Sequence, residues 1–334
     1  MMVEGSNALE GAQNKEGCSV GLFLDGKCKE HNTGYGHPEQ PARFDAVKEG
    51  VRIASQEQND FLKMLGFEAA TKESILHAHE AGYLEIVERE VKAGREMLST
   101  GDTNVSPRSW DVAMLAAGAS IEAVDTIFDS GGIKRAFCGM RPPGHHASAG
   151  RGMGFCLFNN VAIAARYAQE KHSVGKVLIV DWDVHHGNGT QDIFYDDESV
   201  FFFSTHQSPW YPGTGSRDET GTGKGQGTVM NRPFPAGAGR KEVGKAFEKD
   251  LLEAANRFKP ELVIISAGFD SRVEDPLGHF RLEDKDFADM TKLMLGIARE
   301  HSEGRLVSVL EGGYSLEGLK LAVASHVSAL ATDS

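Results

Sequence analysis

Six short runs of branched and aromatic residues, at 20–24, 136–138, 176–181, 200–204, 262–266 and 306–310, are spread along the chain. The stretches at 177–180 and 262–265 are apolar at every position. A strand with no polar face must be covered on both sides, which is the signature of a parallel sheet between two layers of helices. The segments between the runs supply those layers, with helical spacing at 41–56, 80–98, 108–129, 158–171, 240–258, 284–301 and 315–331. Ser106-Pro107 opens one of them with an N-cap residue and a proline in the first turn. Strand–helix alternation from end to end implies a single α/β domain, a parallel sheet with helices on both faces. No Pro/Ser linker, internal repeat or low-complexity tract marks a boundary. Residues 1–17 are expected to be disordered and 18–334 to form the one domain.

Charge narrows the function classes. The chain has 35 Lys and Arg against 48 Asp and Glu, a net −13 over 334 residues. Phosphate-backbone binding needs a basic face, so nucleic acid is not the expected partner. Four cysteines, Cys18, Cys28, Cys138 and Cys156, form no C-x-x-C pair and read as reduced thiols, Cys156 as a small buried one. The first residues lack a basic start and an apolar core of a signal peptide, and no run approaches the ~20 apolar residues of a membrane span. The expected setting is cytoplasmic, without membrane contact.

In open α/β sheets ligands bind beyond the carboxyl ends of the strands. Four such ends carry unusual chemistry here: Arg141-Pro142-Pro143-Gly144-His145-His146, Asp181-Trp182-Asp183-Val184-His185-His186-Gly187-Asn188, Ala267-Gly268-Phe269-Asp270 and Glu311-Gly312-Gly313-Tyr314. Alternate strand residues share a face, so Asp181, Asp183 and His185 project together and Trp182 and Val184 oppose them. Two carboxylates and an imidazole at the end of a buried strand are costly without a cation to share. With Asp270 from a second strand end, two Asp and one His make a three-ligand set with an open position, the pattern of catalytic zinc. His145-His146 behind a rigid Pro-Pro-Gly turn suits acid–base work. Tyr314, after two glycines, is placed to donate to an oxyanion. His31, His77, His172, His301 and His326 read as structural or solvated.

These motifs, in this order and spacing, resemble the histone deacetylase family and its arginase–deacetylase fold. The likeness runs over about residues 19–331, nearest to bacterial class II deacetylase-like amidohydrolases, and includes the segments 154–160 and 211–215. It implies zinc held by Asp183, His185 and Asp270. It makes His146 the general base and acid, with His145 donating to Asp181 and Tyr314 polarising the acyl carbonyl. Gly154, Phe155 and Tyr211 would line a tunnel for an acyl-lysine stem, with Asp102 at its rim. Potassium would bind near Asp181, Asp183, His185, Ser204 and Thr205, largely through carbonyls. Many class I members pair the second histidine with Asp; here Asn188 stands there, and a neutral partner lowers the imidazole's pKa.

Other readings are weaker. A dinuclear arginase-like hydrolase needs further carboxylates on the later strand, but Asp270 is followed by Ser271 and Arg272. A non-catalytic acyl-lysine-binding scaffold predicts a lost ligand, His or Tyr, and all are intact. The glycine-rich stretch 213–227 lacks a phosphate-loop motif and reads as a flexible active-site loop. The expected substrate is an acetyl-lysine peptide or a small acylated amine, with an acetylpolyamine as the alternative and a homo-oligomer left open. Leu277, after Asp275-Pro276, is expected at the tunnel mouth, where relatives that deacetylate polyamines can carry Glu. The Asp/His/Asp set suits Fe(II) as well as zinc.

Overall fold

Residues 18–332 are described in the computed structural model, and the expectation for 1–17 lies outside them. Eight strands are paired in parallel: β1 (Val20–Phe23), β2 (Leu62–Met64), β3 (Arg135–Cys138), β4 (Val177–Asp181), β5 (Val200–Gln207), β6 (Val229–Phe234), β7 (Leu262–Ala267) and β8 (Leu306–Leu310). Their order in the sheet is β2-β1-β3-β8-β7-β4-β5-β6. The chain therefore leaves β3 for β4 across a gap that β7 and β8 later fill. Ligand crevices open where strand order reverses in this way. Asp181 is in register with Ser204 on one side and Ser266 on the other, so these polar groups stand level at one edge.

Successive residues of the central strands alternate between two cores. Val177, Ile179, Val200 and Phe202 join the core under the helices Ser109–Asp129 and Asn160–His172. Leu178, Val180, Phe201 and Phe203 join the core under Ala42–Gln58, Asp284–His301 and Leu316–Leu330. Trp182 and Val184 continue into this second core past the end of β4, as the alternation requires. Among the described residues no helix is long and apolar enough to cross a membrane.

Several boundaries differ from the sequence pattern. The helix expected at 80–98 runs only Ala81–Lys92, because Gly94 turns the chain at φ +71°. Strands β2 and β6 were not anticipated: β2 is a three-residue edge, and β6 holds Pro233, which reads as a strand breaker but is tolerated on an edge. The helix at 240–258 forms with one wider-wound turn over Ala246–Leu251. The stretch 213–227 is pinned rather than loose: the amides of Gly215 and Ser216 donate to the Glu219 carboxylate, which also takes Gln191 Nε2 at 2.6 Å.

One buried ion cluster fastens the two ends of the chain to the sheet. Glu39 is fully buried; its Oε1 accepts from Arg43 Nη1 at 3.0 Å and Arg141 Nε at 2.6 Å, and its Oε2 from Arg141 Nη2 at 2.6 Å. Arg141 also donates to the carbonyls of Cys28 and His31, and Arg43 to those of Glu311 and Gly313 beyond β8. Burial pushes the Glu39 carboxyl up, but the two guanidiniums outweigh it and hold it below its ordinary value of 4.5. Glu39→Gln strands two buried arginines and is expected to cost about 3–5 kcal/mol at neutral pH. A depressed folded pKa contributes stability above the ordinary value and loses it as pH falls through the folded one. The gap between wild type and variant, measured by urea denaturation, should therefore be full at pH 7 and close only below pH 4.5.

Candidate active site

The chain past β4 bends so that its carboxylates meet those beyond β7. Asp183 Oδ1 accepts from the His185 amide at 2.9 Å and Oδ2 from the Gly312 amide at 2.9 Å. Asp270 Oδ1 accepts from the Val184 amide at 2.8 Å, while its buried Oδ2 has no hydrogen bond. His185 Nδ1 lies 3.0 Å from Asp183 Oδ1 and 3.2 Å from Asp270 Oδ2. One donor atom from each of the three lies within 4.8 Å of the others, and all three residues are buried. A β-carbon on Gly312 would land on both carboxylates, so glycine there is a condition of their approach.

The electrostatics of the cluster call for positive charge. Burial, then the Asp183 charge, pushes Asp270 up to about 7. Burial opposes protonation of His185, yet the nearby carboxylates of Asp183 and Asp270 prevail and raise it to about 10. Two desolvated carboxylates, one with an orphan oxygen, and an imidazole nitrogen aimed between them fit a divalent transition-metal ion.

Glu311, buried and raised to about 7 chiefly by that burial, fixes the tandem histidines through the backbone. Its Oε2 accepts from the amides of Gly144 at 2.6 Å and His145 at 3.0 Å. His145 Nδ1 lies 2.9 Å from Asp181 Oδ2, and His146 Nδ1 lies 2.7 Å from Asn188 Oδ1. The two rings sit 4.0 Å apart. Burial opposes charge on both. Asp183 and Asp181 nevertheless lift His145 well above 6.5, whereas the neighbouring imidazoles drive His146 well below it. Adjacent imidazoles with opposed pKa values mark a division into cation and free base. Asn188 Oδ1 can only accept, so His146 carries its proton on Nδ1 and keeps Nε2 basic.

A cavity of about 220 Å³ opens above these groups. It is smaller than the roughly 300–1,000 Å³ of drug-sized ligand sites and suits one unbranched chain. His146, His185 and Tyr314 form its buried end, Phe155 and Tyr211 its walls, and Asp102, Trp210 and Leu277 its mouth. Gly154 adopts φ +57° with the His146 ring against its α-carbon, and Phe155 follows at φ +68°. Asp102 Oδ1 accepts from the Gly154 amide at 2.7 Å and from the Tyr211 hydroxyl at 3.1 Å, joining both walls. Every residue expected to touch substrate is thus brought to one channel.

Other expectations fare differently. Asp181 and Ser204 face one another in register beside the buried Thr205, but Asp181 is engaged by His145 and the Asp183 amide, and the Ser204 hydroxyl by His206 Nδ1. Asp275, two residues before Leu277, is turned inward and only 8% exposed. Sequence reasoning missed Trp210, whose Nε1 donates to the Leu277 carbonyl at 2.8 Å, and His37, whose ring packs edge-on to Phe155 at 4.6 Å. It also missed Arg43, which lies over the Tyr314 ring at 4.9 Å. Trp210 beside Tyr211 carried a signal in its adjacency; the other two carried none.

The strand order and the placement of this channel define the arginase–deacetylase fold. Residues 37–330 match the histone deacetylase domain. A solved structure, that of the HDA15 HD domain, superposes with a TM-score of 0.87 at 34% identity, over 94% of this chain and 88% of that one. Histone deacetylase 14, chloroplastic, of Arabidopsis thaliana is 38% identical over 88% of this chain and 73% of its own length. The histone deacetylase-like amidohydrolase of Pseudomonas aeruginosa is 36% identical over 84% and 73%, and the human polyamine deacetylase HDAC10 is 38% identical over 88% and 45%. The chain belongs to the histone deacetylase family.

The neutral partner of His146 generates a direct expectation. Asn188→Asp places a carboxylate at the same Nδ1 and favours the imidazolium. NMR titration should find His146 ionising at higher pH in the variant than in the wild type. An unmoved titration would mean that Asn188 does not set the basicity of His146.

Proposed function

We propose that the protein is a zinc-dependent deacylase that hydrolyses the amide of acetyl-lysine or of a similar acylated amine. The observation that carries this reading is the convergence of the Asp183–His185–Asp270 cluster, His146 and Tyr314 at the closed end of one narrow channel. Relatives named as histone deacetylase, amidohydrolase and polyamine deacetylase support the reaction class. Zinc bound by the three residues would supply Lewis-acid polarisation of the amide carbonyl and acidify a water.

The chain's own groups do the rest. His146 Nε2, kept neutral by burial and by the charge on His145, takes a proton from the attacking water and returns it to the departing amine nitrogen. Burial raises the Tyr314 phenol well above 10, so it keeps its proton and donates it as a hydrogen bond to the developing oxyanion. The positive charge on His145 also favours that oxyanion. Phe155 and Tyr211 enclose the aliphatic stem and exclude water. The reading extends to potassium carried on the carbonyls near Asp181, Ser204 and Thr205.

Asp183→Ala, His185→Ala and Asp270→Ala should each abolish zinc binding and hydrolysis of an acetyl-lysine peptide together, as metal analysis and a deacetylation assay will show. One zinc per chain in any of these proteins would reject the ligand assignment.

Leu277 favours the peptide over the polyamine. An apolar side chain at the mouth gives a distal ammonium no partner, whereas Leu277→Glu would. A charge pair at a partly exposed rim contributes about 1 kcal/mol, or roughly fivefold in selectivity. The wild type should favour acetyl-lysine peptide over acetylspermidine in kcat/KM, and Leu277→Glu should move that ratio toward the polyamine at low salt. A wild type that already favours the polyamine, or a ratio unmoved by the substitution, would remove Leu277 from the specificity role.

A further inference from the structure

Tyr314 follows Gly312 and Gly313, the latter at φ +120°, so its backbone has little stiffness of its own. Yet the oxyanion role proposed above requires its hydroxyl to be held to within a fraction of an ångström. Two groups restrain this segment from outside. Arg43 donates to the carbonyls of Glu311 at 2.6 Å and Gly313 at 2.7 Å. Asp275 restrains it from the other side: its Oδ2 accepts from the amides of Tyr314 at 2.7 Å and Ser315 at 3.0 Å.

Asp275 reaches in a second direction. Its Oδ1 accepts from the Leu277 amide at 2.9 Å, and the Leu277 carbonyl accepts from Trp210 Nε1 at 2.8 Å. Leu277 and Trp210 both line the mouth of the channel. Among the described residues no Lys, Arg or His forms an ion pair with this buried carboxylate; three backbone amides hold it, and the Arg43 charge favours it from farther off. Withdrawing a carboxylate from water without a counter-charge is costly. The three amides it gathers come from two segments, one carrying the rim and one the phenol.

We propose that Asp275 is the positioning residue for Tyr314, and that it couples the phenol to the Leu277–Trp210 rim against which substrate seats. The inference rests on the reading of Tyr314 as oxyanion donor. Asp275 touches neither substrate nor metal in this scheme. It acts by fixing where the Tyr314 hydroxyl stands.

The test is a double-mutant cycle on the zinc-loaded protein, with an acetyl-lysine peptide as substrate. Asp275→Asn retains the size of the side chain but replaces one accepting oxygen with a donor that faces an amide. It is expected to keep one zinc per chain, lower kcat about tenfold and leave KM within about twofold, because the lost interaction belongs to the transition state. In a Tyr314→Phe background the same substitution should lower kcat no further, since coupled residues are not additive. Asp275→Glu, which keeps charge and both oxygens but shifts them by one methylene, is read through the same cycle if the Asn protein does not fold. Losses that multiply in the double mutant, or an Asp275 variant with wild-type kcat, overturn the positioning role while leaving Tyr314 intact. A Tyr314→Phe protein within about threefold of wild type would instead sink the oxyanion reading itself, and the positioning role with it.

Discussion

Four carboxylates, Asp181, Asp183, Asp270 and Glu311, are withdrawn completely from water at the ends of the neighbouring strands β4, β7 and β8. Ionised groups in such surroundings are tolerated only when donors and positive charge surround them. Much of the local architecture answers that demand. The amides of Gly144, His145, Asp183, Val184, His185 and Gly312 all point at one of the four. The chain can turn its amides inward because glycines stand where a side chain would collide, as at Gly312. The imidazoles of His145 and His185 supply charge, and the orphan oxygen of Asp270 marks where more is wanted.

Much of this was legible in the sequence because it is written in local pattern. Strands apolar at every position have one structural meaning, and the spacing of Asp183 and His185, with Asp270 after a second strand, has a narrow chemical one. The less legible residues act over long separations. Glu39 and Arg141 are 102 positions apart, Arg43 and Gly313 are 270, and no periodicity links them. The role of Asp275 is hard to read for a related reason. A carboxylate beside a proline in a polar loop looks solvated, and only the fold shows which way it turns. The edge strands β2 and β6 were missed because edges need neither length nor continuous apolarity.

The channel owes its narrowness to groups that each have a second duty. Phe155 is a wall and also the resting place of His37; Tyr211 is a wall and also a donor to Asp102. Asp102, in turn, binds the backbone of one wall and the hydroxyl of the other. A tunnel assembled in this way is not a void between rigid elements. Its width is set by a few hydrogen bonds at the surface, where solvent competes with them, while its closed end is set by buried ones, where solvent does not.

The order of the strands carries a consequence for how the molecule comes into being. β7 and β8 are made after the other six, yet they occupy the middle of the sheet between β3 and β4. Without β7 and β8 the other six strands can pair only as two separate groups, β2-β1-β3 and β4-β5-β6, each leaving one strand edge unpaired. Such edges invite pairing with foreign strands, and long-range parallel pairing is slow to satisfy them. Asp183 and His185 wait on one half-sheet and His145 and His146 on the other. Asp270 and Tyr314 arrive with the inserted pair. Without the inserted pair the site cannot be complete: the step that seals the core is also the step that gathers its chemistry.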